Sequence, residues 1–292
     1  MISRSRKLIS AAILAAAFLI IAGLIFAQQP PAGTAGGPPD QGQEGRGGPG
    51  GPGQEGRGGG PRGVEATPDD TAGFKAIFDG KTLNGWYGDP MFWRVENGAI
   101  VGESTPEKVV SSNTFLIWKG GTMKDFELKI EGRFTSSSGN SGIQVRSRMD
   151  TEANSRSGGK ERPYGMAGYQ IDMVPQGGTG TALIYEEGGR GFLAQQGQIT
   201  RRLRDAAGDM SAKLVGTLGE NIADGIKGAG EWNSYHIIAR GNQIIAVVND
   251  RMSAMVIDED DTGRALEGLL GLQMHVGQPF RVEFRNIYFK EL

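Results

Sequence analysis

The chain has 292 residues, with 31 Lys and Arg against 33 Asp and Glu, a formal net charge of −2. No basic excess is available to track a polyphosphate, so nucleic acid is excluded as an expected partner. The absence of cysteine excludes a disulfide scaffold, a thiol nucleophile, thiolate-bound zinc and an acylated lipoprotein cysteine, and two histidines are too few for a multi-histidine metal centre.

Residues 1–27 read as an address. Arg4, Arg6 and Lys7 precede an almost unbroken apolar run from Leu8 to Ala27. A run of about 20 residues suits either a signal peptide cleaved after Ala27 or a retained N-terminal membrane anchor. Both put the remainder outside the cytoplasm, so the expected location is extracytoplasmic: periplasmic, secreted, or anchored to the inner membrane through residues 8–27. Residues 28–73 are rich in Gly and Pro and carry Gly-Gln-Glu-Gly-Arg-Gly-Gly at 42–48 and again at 53–59. With so few apolar side chains, this stretch predicts a disordered linker.

From 74 to 292 the pattern changes to short alternating segments, a length that suits one all-β domain. Phe126, Leu128 and Ile130 alternate with Glu127, Lys129 and Glu131, the mark of a strand with one face in a core. Comparable segments lie at 92–96, 99–102, 115–118, 142–148, 169–174, 182–185, 234–240, 244–249, 252–257, 269–275 and 281–290. Asn97-Gly98, Gly241-Asn242 and Asn249-Asp250 supply turns between them. The pattern predicts an all-β fold, a two-sheet antiparallel jelly-roll sandwich. Residues 198–228 are the exception: Arg201 to Leu218 predicts one or two short helices in an insertion over one end of the sandwich. Gly177 to Gly180 lacks the Lys-Ser/Thr of a phosphate loop and reads as a turn.

Residues i and i+2 share a face of a strand. Setting Ile143 and Val145 in the core leaves Gln144, Arg146 and Arg148 on the open side. Setting Tyr169, Ile171 and Met173 inward leaves Gln170 and Asp172, and setting Leu270, Leu272 and Met274 inward leaves Gly271, Gln273 and His275. Amides, an arginine, a carboxylate and an imidazole suit a site that grips hydroxyls and carbonyls through paired donors and acceptors. His236 shares a less polar face with Trp232 and Ile238 and reads as structural. Tyr185, Glu186 and Arg190 come from a strand end and its loop, with Glu187 and the neighbouring glycines read as shaping the turn.

Six motifs then occur in order: Phe78-Asp79-Gly80-Lys81-Thr82-Leu83-Asn84-Gly85-Trp86, Trp93-Arg94-Val95-Glu96-Asn97-Gly98, Asn140-Ser141-Gly142-Ile143-Gln144-Val145-Arg146, Gly168-Tyr169-Gln170-Ile171-Asp172, Glu231-Trp232-Asn233 and Val282-Glu283-Phe284-Arg285-Asn286-Ile287. In these the segment 74–292 resembles the 3-keto-disaccharide hydrolase domain family, whose fold is similar to that of laminarinases and legume lectins (concanavalin A-like). The resemblance implies an extracytoplasmic bacterial enzyme acting on sugars oxidised at C3. Its matching positions here are Arg146, Gln170, Asp172, Tyr185, Glu186, Arg190, Gln273 and His275. The turn from His275 to Pro279 and the long segment 194–230 depart from the commonest family form.

A retaining glycosidase of laminarinase type needs Glu-x-Asp-x-x-Glu on one strand. Here that stretch is Gln170-Ile171-Asp172-Met173-Val174-Pro175, which excludes ordinary two-carboxylate chemistry at that strand. A 3-keto sugar needs less, because its ketone acidifies the C2 hydrogen. On that reading Arg146 and Gln170 or Gln273 hold the keto oxygen and neighbouring hydroxyls. His275 or Asp172 takes the C2 proton, and Glu186 or Tyr185 assists the leaving oxygen. The alternative is a non-catalytic, lectin-like carbohydrate-binding module tethered to the envelope, in which the same polar groups would bind sugar without cleaving it. No cofactor is expected. An oxygen-ligated divalent ion such as calcium is left open, with Asp258 to Asp261 as its candidate stretch, although a solvated charged loop is the better reading there.

Overall fold

A computed structural model describes residues 71–175, 180–219 and 222–292. The expected leader, nearly all of the expected linker and most of the Gly177 to Gly180 turn lie outside the described residues. Within them the strands are β1 (Lys75–Ala76), β2 (Trp86–Tyr87), β3 (Trp93–Glu96), β4 (Ala99–Glu103), β5 (Thr114–Trp118), β6 (Phe126–Phe134), β7 (Ser141–Met149), β8 (Met166–Met173) and β9 (Ile184–Glu187). They continue as β10 (Gly191–Ala194), β11 (Gln198–Arg204), β12 (Met210–Thr217), β13 (Asn233–Arg240), β14 (Gln243–Val248), β15 (Arg251–Asp258), β16 (Leu269–Met274) and β17 (Arg281–Glu291). Sheet A runs β12-β11-β15-β14-β13-β6-β17-β4-β3, with β1 also on β17, and sheet B runs β10-β9-β8-β7-β16-β5-β2. The expected two-sheet jelly-roll sandwich is therefore present. Its pairings are antiparallel save one, β11 with β15, which is parallel.

The alternation that announced β6 is literal: its residues are buried and half-buried by turns along the whole strand. The inner faces supply one core that includes Leu128, Ile143, Ile171, Ile237, Val256, Leu272 and Phe284. Each such side chain contributes about 1.5–3 kcal/mol when fully buried. Two-residue turns set the register. Asn97 and Gly98, at φ 49° and 78°, join β3 to β4, and Asn249 and Asp250, at φ 46° and 63°, join β14 to β15. Both turns require left-handed backbone, which Gly, Asn and Asp tolerate best.

The helices expected between Arg201 and Leu218 are absent. That stretch is the β11–β12 hairpin, with Thr200 opposite Leu214 and Leu203 opposite Ser211. Two pieces of local chemistry override the helical reading. Asp205 Oδ1 accepts the backbone N–H groups of Ala207 and Asp209, both at 2.9 Å, closing a turn in mid-segment. The hairpin's first strand also satisfies the open edge of β15, whose backbone groups would otherwise be unpaired. The insertion therefore widens sheet A.

Buried charge ties the two sheets together. Asp258 and Asp260 are 2% and 1% exposed, which corrects the reading of 258–261 as a solvated loop. Asp258, at the end of β15, accepts the Tyr169 hydroxyl at 2.6 Å from sheet B and Arg190 Nη2 at 2.6 Å. Asp260 accepts Arg204 Nη2 at 2.9 Å and Arg190 Nη1 at 3.3 Å. Burial alone would lower the Arg190 pKa, but the bonds from Asp258 and Glu186 hold it above the ordinary arginine value. Among the described residues no group of three or more His, Asp or Glu has the arrangement of a metal site.

Arg146 makes a second tie. Beyond Val145 the β7–β8 register slips, and Arg146 adopts φ 45°. This bulge turns its side chain inward, a known effect of one extra residue in a strand. Nε donates to Lys124 O at 2.7 Å, Nη1 to Gly241 O at 2.7 Å and Nη2 to Asp125 Oδ1 at 3.0 Å. All three partners precede β6 or join β13 to β14, in sheet A.

The outer face of sheet A is different, with half-buried charges that meet opposite charges on the same face. Arg281 meets Glu96 and Glu283, each at 2.7 Å, and Trp232 lies between Arg133 and Arg285 at 4.4 and 4.1 Å. His236 Nε2 pairs with Glu127 Oε2 at 2.9 Å, the structural role its neighbours suggested.

A pair open to solvent on one side, such as Glu96 with Arg281, contributes about 0–1 kcal/mol, whereas breaking a buried one costs about 3–5 kcal/mol. Asp258→Ala removes the acceptor of the buried Tyr169 hydroxyl and one of the carboxylates that hold Arg190, so urea unfolding should register a loss in that larger range. Glu96→Gln should change stability by less than about 1 kcal/mol. Equal effects from the two variants would contradict the bridging role of Asp258.

Candidate active site

The outer face of sheet B carries a cavity of about 350 Å³, lined by Asn113, Asn140, Gln170, Asp172, Tyr185, Glu187, Gly188, Gly189, Phe192 and His275. Four of the residues singled out from the sequence, Gln170, Asp172, Tyr185 and His275, meet here. Strand parity brings them together: Gln170 lies opposite Tyr185 across β8 and β9, and Asp172 opposite Gly142 across β8 and β7. Gly142 matters sterically. A Cβ there would stand 2.5 Å from Gln170 Cδ, so only glycine lets the Gln170 side chain lie across β7 toward β16.

Beneath the cavity runs a chain of amides with a single direction. The Ser147 hydroxyl donates to Gln144 Oε1. Gln144 Nε2 donates to Gln170 Oε1 at 2.8 Å, and Gln170 Nε2 to Asp172 Oδ1 at 2.6 Å and Gln273 Oε1 at 3.3 Å. Gln273 Nε2 then reaches Glu187 Oε2 at 3.3 Å. Each amide accepts through oxygen and donates through nitrogen, and the chain ends on two carboxylates. Gln273 and Glu187 stand three strands apart, roughly 14 Å in a flat sheet, so the contact requires the face to be concave. Gln273 is thus fully buried under the cavity, not a wall of it.

Asp172 is the most perturbed group in the cavity. Burial, with a further contribution from the charge of Glu187, pushes its carboxyl up to about 7 against the opposing hydrogen bond from Gln170. Among the described residues lining the cavity none is Lys or Arg, so no cation offsets either carboxylate. His275 presents a ring with one nitrogen already engaged, Nδ1 lying 2.5 Å from Val276 O. A carbonyl only accepts, so the neutral ring carries its proton on Nδ1 and keeps the Nε2 lone pair for another partner. Asn113 braces both sides: its Oδ1 accepts Val276 N–H at 2.9 Å, and its Nδ2 donates to Glu187 Oε1 at 3.3 Å. Asn140 Oδ1 is buried without a hydrogen-bond partner, an acceptor ready for a ligand hydroxyl.

Three of the sequence-derived positions lie elsewhere. The guanidinium of Arg146 was expected on the open side, but the bulge sends it between the sheets. Arg190 is engaged by Glu186, Asp258 and Asp260. Glu186 accepts both the backbone N–H of Arg190, at 3.0 Å, and its guanidinium. The carboxylate that reaches the cavity from β9 is instead Glu187, which had been read as part of a turn. Strand parity could have found it, since Glu187 shares a face with Tyr185 and Glu186 with the core residue Ile184. Phe192, 55% exposed, alternates with buried Leu193 and was legible in the same way. Asn113 and Asn140 come from loops, where no periodicity marks them. With Asp172 and Glu187 facing one cavity from adjacent strands, the exclusion of two-carboxylate chemistry applies to β8 alone.

A Bacteroides thetaiotaomicron protein named 3-keto-disaccharide hydrolase is 41% identical over 83 residues, which span 26% of this chain and 28% of that protein. The matched stretch thus spans less than a third of that relative. A candidate glycosyl hydrolase from Parabacteroides distasonis has 17% identity and a TM-score of 0.46, covering 76% of this chain and 95% of that one. A β-glucanase from Bacillus licheniformis has 11% identity and a TM-score of 0.39, covering 76% of this chain and all of that one. Residues 73–290 match the family described as the 3-keto-alpha-glucoside-1,2-lyase-like domain, and the chain belongs to that family.

Proposed function

We propose that the chain is a carbohydrate-active enzyme that cleaves 3-keto-glycosides, with Asp172 as its general base. The observation that carries this reading is the Asp172 carboxyl, pushed up to about 7 in a cavity of amides without a cation. A base is most effective when its pKa lies near the working pH. Asp172 takes the proton from C2, next to the ketone, and the electron pair passes to the C3 oxygen as an enolate. Collapse of the enolate expels the C1 substituent, whose oxygen takes up the proton held by Asp172, and leaves a C1–C2 double bond, to which water adds across C1 and C2. His275 Nε2 and Asn140 Oδ1 accept from substrate hydroxyls, the Tyr185 hydroxyl donates to a substrate oxygen, and Asn113 with Gln273 fixes the orientation of Glu187. An extracytoplasmic setting belongs to the same proposal and rests on the apolar run of residues 8–27.

A second reading is favoured by the pairing of Asp172 with Glu187. Two carboxyl groups in different environments, one holding a proton near neutrality, are the usual equipment for hydrolysing an unoxidised glycoside. The two readings separate on substrate. The full-length chain should release aglycone from a chromogenic 3-keto-glucoside and leave the matching glucoside intact. Its kcat/KM should rise with pH through about 7. Asp172→Asn should lower kcat/KM by about 10²–10⁴-fold. Turnover of the unoxidised glucoside would instead support the carboxylate pair, and saturable sugar binding without turnover of either would support the lectin-like module.

The raised carboxyl also fixes the sign of a stability change. Between about 4 and 7 the folded chain retains a proton that the unfolded chain releases, so Asp172 makes folding less favourable as pH rises through that window. Asparagine carries no such charge and still accepts from Gln170. The Tm of Asp172→Asn relative to the unmodified protein should therefore climb between pH 5 and pH 8, by the equivalent of about 1–3 kcal/mol. A difference that is flat or falling over that range would show that Asp172 is not a desolvated acid.

A further inference from the structure

A second and larger cavity, of about 560 Å³, opens on the same face of sheet B. It shares Glu187, Gly188 and Gly189 with the first, so a single wall divides them. On its far side the character changes. Met149, Ala167, Ala265 and Leu269 give it an apolar surface, and five glycines leave much of the remainder as bare backbone.

Its polar side chains are mostly engaged. Ser147 donates to Gln144, and Glu186 is held by Arg190. Arg146 is held by Lys124, Gly241 and Asp125, while Thr122, Glu267 and Arg148, which pairs with Asp150 at 3.9 Å, stand at the exposed rim. A hydroxyl-rich ring placed here would exchange water for few partners, which is unfavourable for each group left unpaired. A flat, weakly polar ring would instead cover Met149 and Leu269 and gain from every apolar area removed from water.

We infer that this cavity receives the leaving group, and that it selects a planar aromatic aglycone over a second sugar. The inference rests on the proposed keto-glycoside cleavage for the position of the other half of the substrate. The sugar sits in the smaller cavity with its C1 substituent directed over the wall, and the aglycone lies against Met149 and Leu269. Glu187, present in both cavities, is the residue that the scissile oxygen passes. The glycines have a separate packing reason, since a Cβ on Gly168 would stand 2.5 Å from Ser147 Oγ and one on Gly268 2.3 Å from the Arg146 carbonyl carbon. Selection therefore comes from the side chains.

The test compares phenyl 3-keto-glucoside with a 3-keto-disaccharide on the full-length chain. The phenyl compound should be favoured at least tenfold in kcat/KM. Thr122→Trp fills the cavity from an exposed turn, and should remove most of that preference while changing turnover of a methyl 3-keto-glucoside less than threefold. Met149→Gln, near the surface at the end of β7, should shift the ratio toward the disaccharide. Turnover with equal kcat/KM for both aglycones, or a preference untouched by both substitutions, would overturn the inference while leaving the cleavage reaction standing. If no keto-glycoside is turned over, the reaction itself fails. Equilibrium binding of phenyl glucoside and of the disaccharide to the unmodified protein and to Thr122→Trp then decides the subsite, a Kd ratio near one in the unmodified protein being the overturning result.

Discussion

Buried Arg146 and largely buried Arg190, one near each end of the β7–β9 region, constrain the outer face of sheet B. An ion taken out of water must be paired and fully hydrogen-bonded. Arg146 meets that requirement on Lys124, Asp125 and Gly241, and Arg190 on Glu186, Asp258 and Asp260. Both guanidinium groups thereby connect sheet B to loops or strand ends of sheet A. They hold the layers in one alignment, and they are removed from the open face. The cavity is left with amides, a hydroxyl, an imidazole and two carboxylates. Its electrostatics follow from what the arginines do elsewhere.

The amide chain depends on the same bulge. Had β7 kept strict alternation past Val145, Arg146 would face outward and Ser147 would face the core. The extra residue exchanges them, and Ser147 becomes the first donor of a chain that passes through Gln144 and Gln170 to Asp172 and through Gln273 to Glu187. The ionised carboxylates at its far end can only accept, and that sets the orientation of every amide before them, because each nitrogen must then donate and each oxygen accept. Both carboxylates consequently receive hydrogen bonds, while Asp172 still lacks the nearby positive charge that would bring its pKa down. Rigidity and perturbation come from one arrangement.

These features divide by how local their causes are. The strands were legible because alternation is local: β6 could be read residue by residue, and Asn97-Gly98 marked its turn unaided. The open-face assignment of Gln170, Asp172, Gln273 and His275 followed from the same period. A bulge breaks that inference silently, since nothing in Val145-Arg146-Ser147 announces that φ will turn positive. Its cause lies in distant partners, the carbonyls of Lys124 and Gly241. The β11–β12 hairpin was missed for a similar reason, because the edge of β15 that it satisfies is more than forty residues away. Glu187 is different. Its place followed from the parity of β9, and choosing Glu186 set aside a rule already in use for β8. Asn113 and Asn140 lie in loops, whose positions only the assembled sheet defines.

Charge balance connects this architecture to the proposed chemistry. An enolate forming beside Glu187, with no arginine or lysine among the described residues that line the cavity, would be strongly opposed if its charge were simply added there. General-base catalysis by Asp172 avoids that addition. The proton taken from C2 neutralises the carboxylate in the same step that places negative charge on the sugar, so the net charge of the cavity does not change. On the proposed reading the charge moves from a desolvated carboxylate, already opposed by burial and by Glu187, to a sugar oxygen in the cavity that the Tyr185 hydroxyl lines. A cation in the cavity would stabilise the enolate, but it would also lower the pKa of Asp172 and weaken it as a base. On the proposed reading, keeping Arg146 and Arg190 engaged with sheet A preserves the basicity of Asp172 and leaves the enolate to neutral donors.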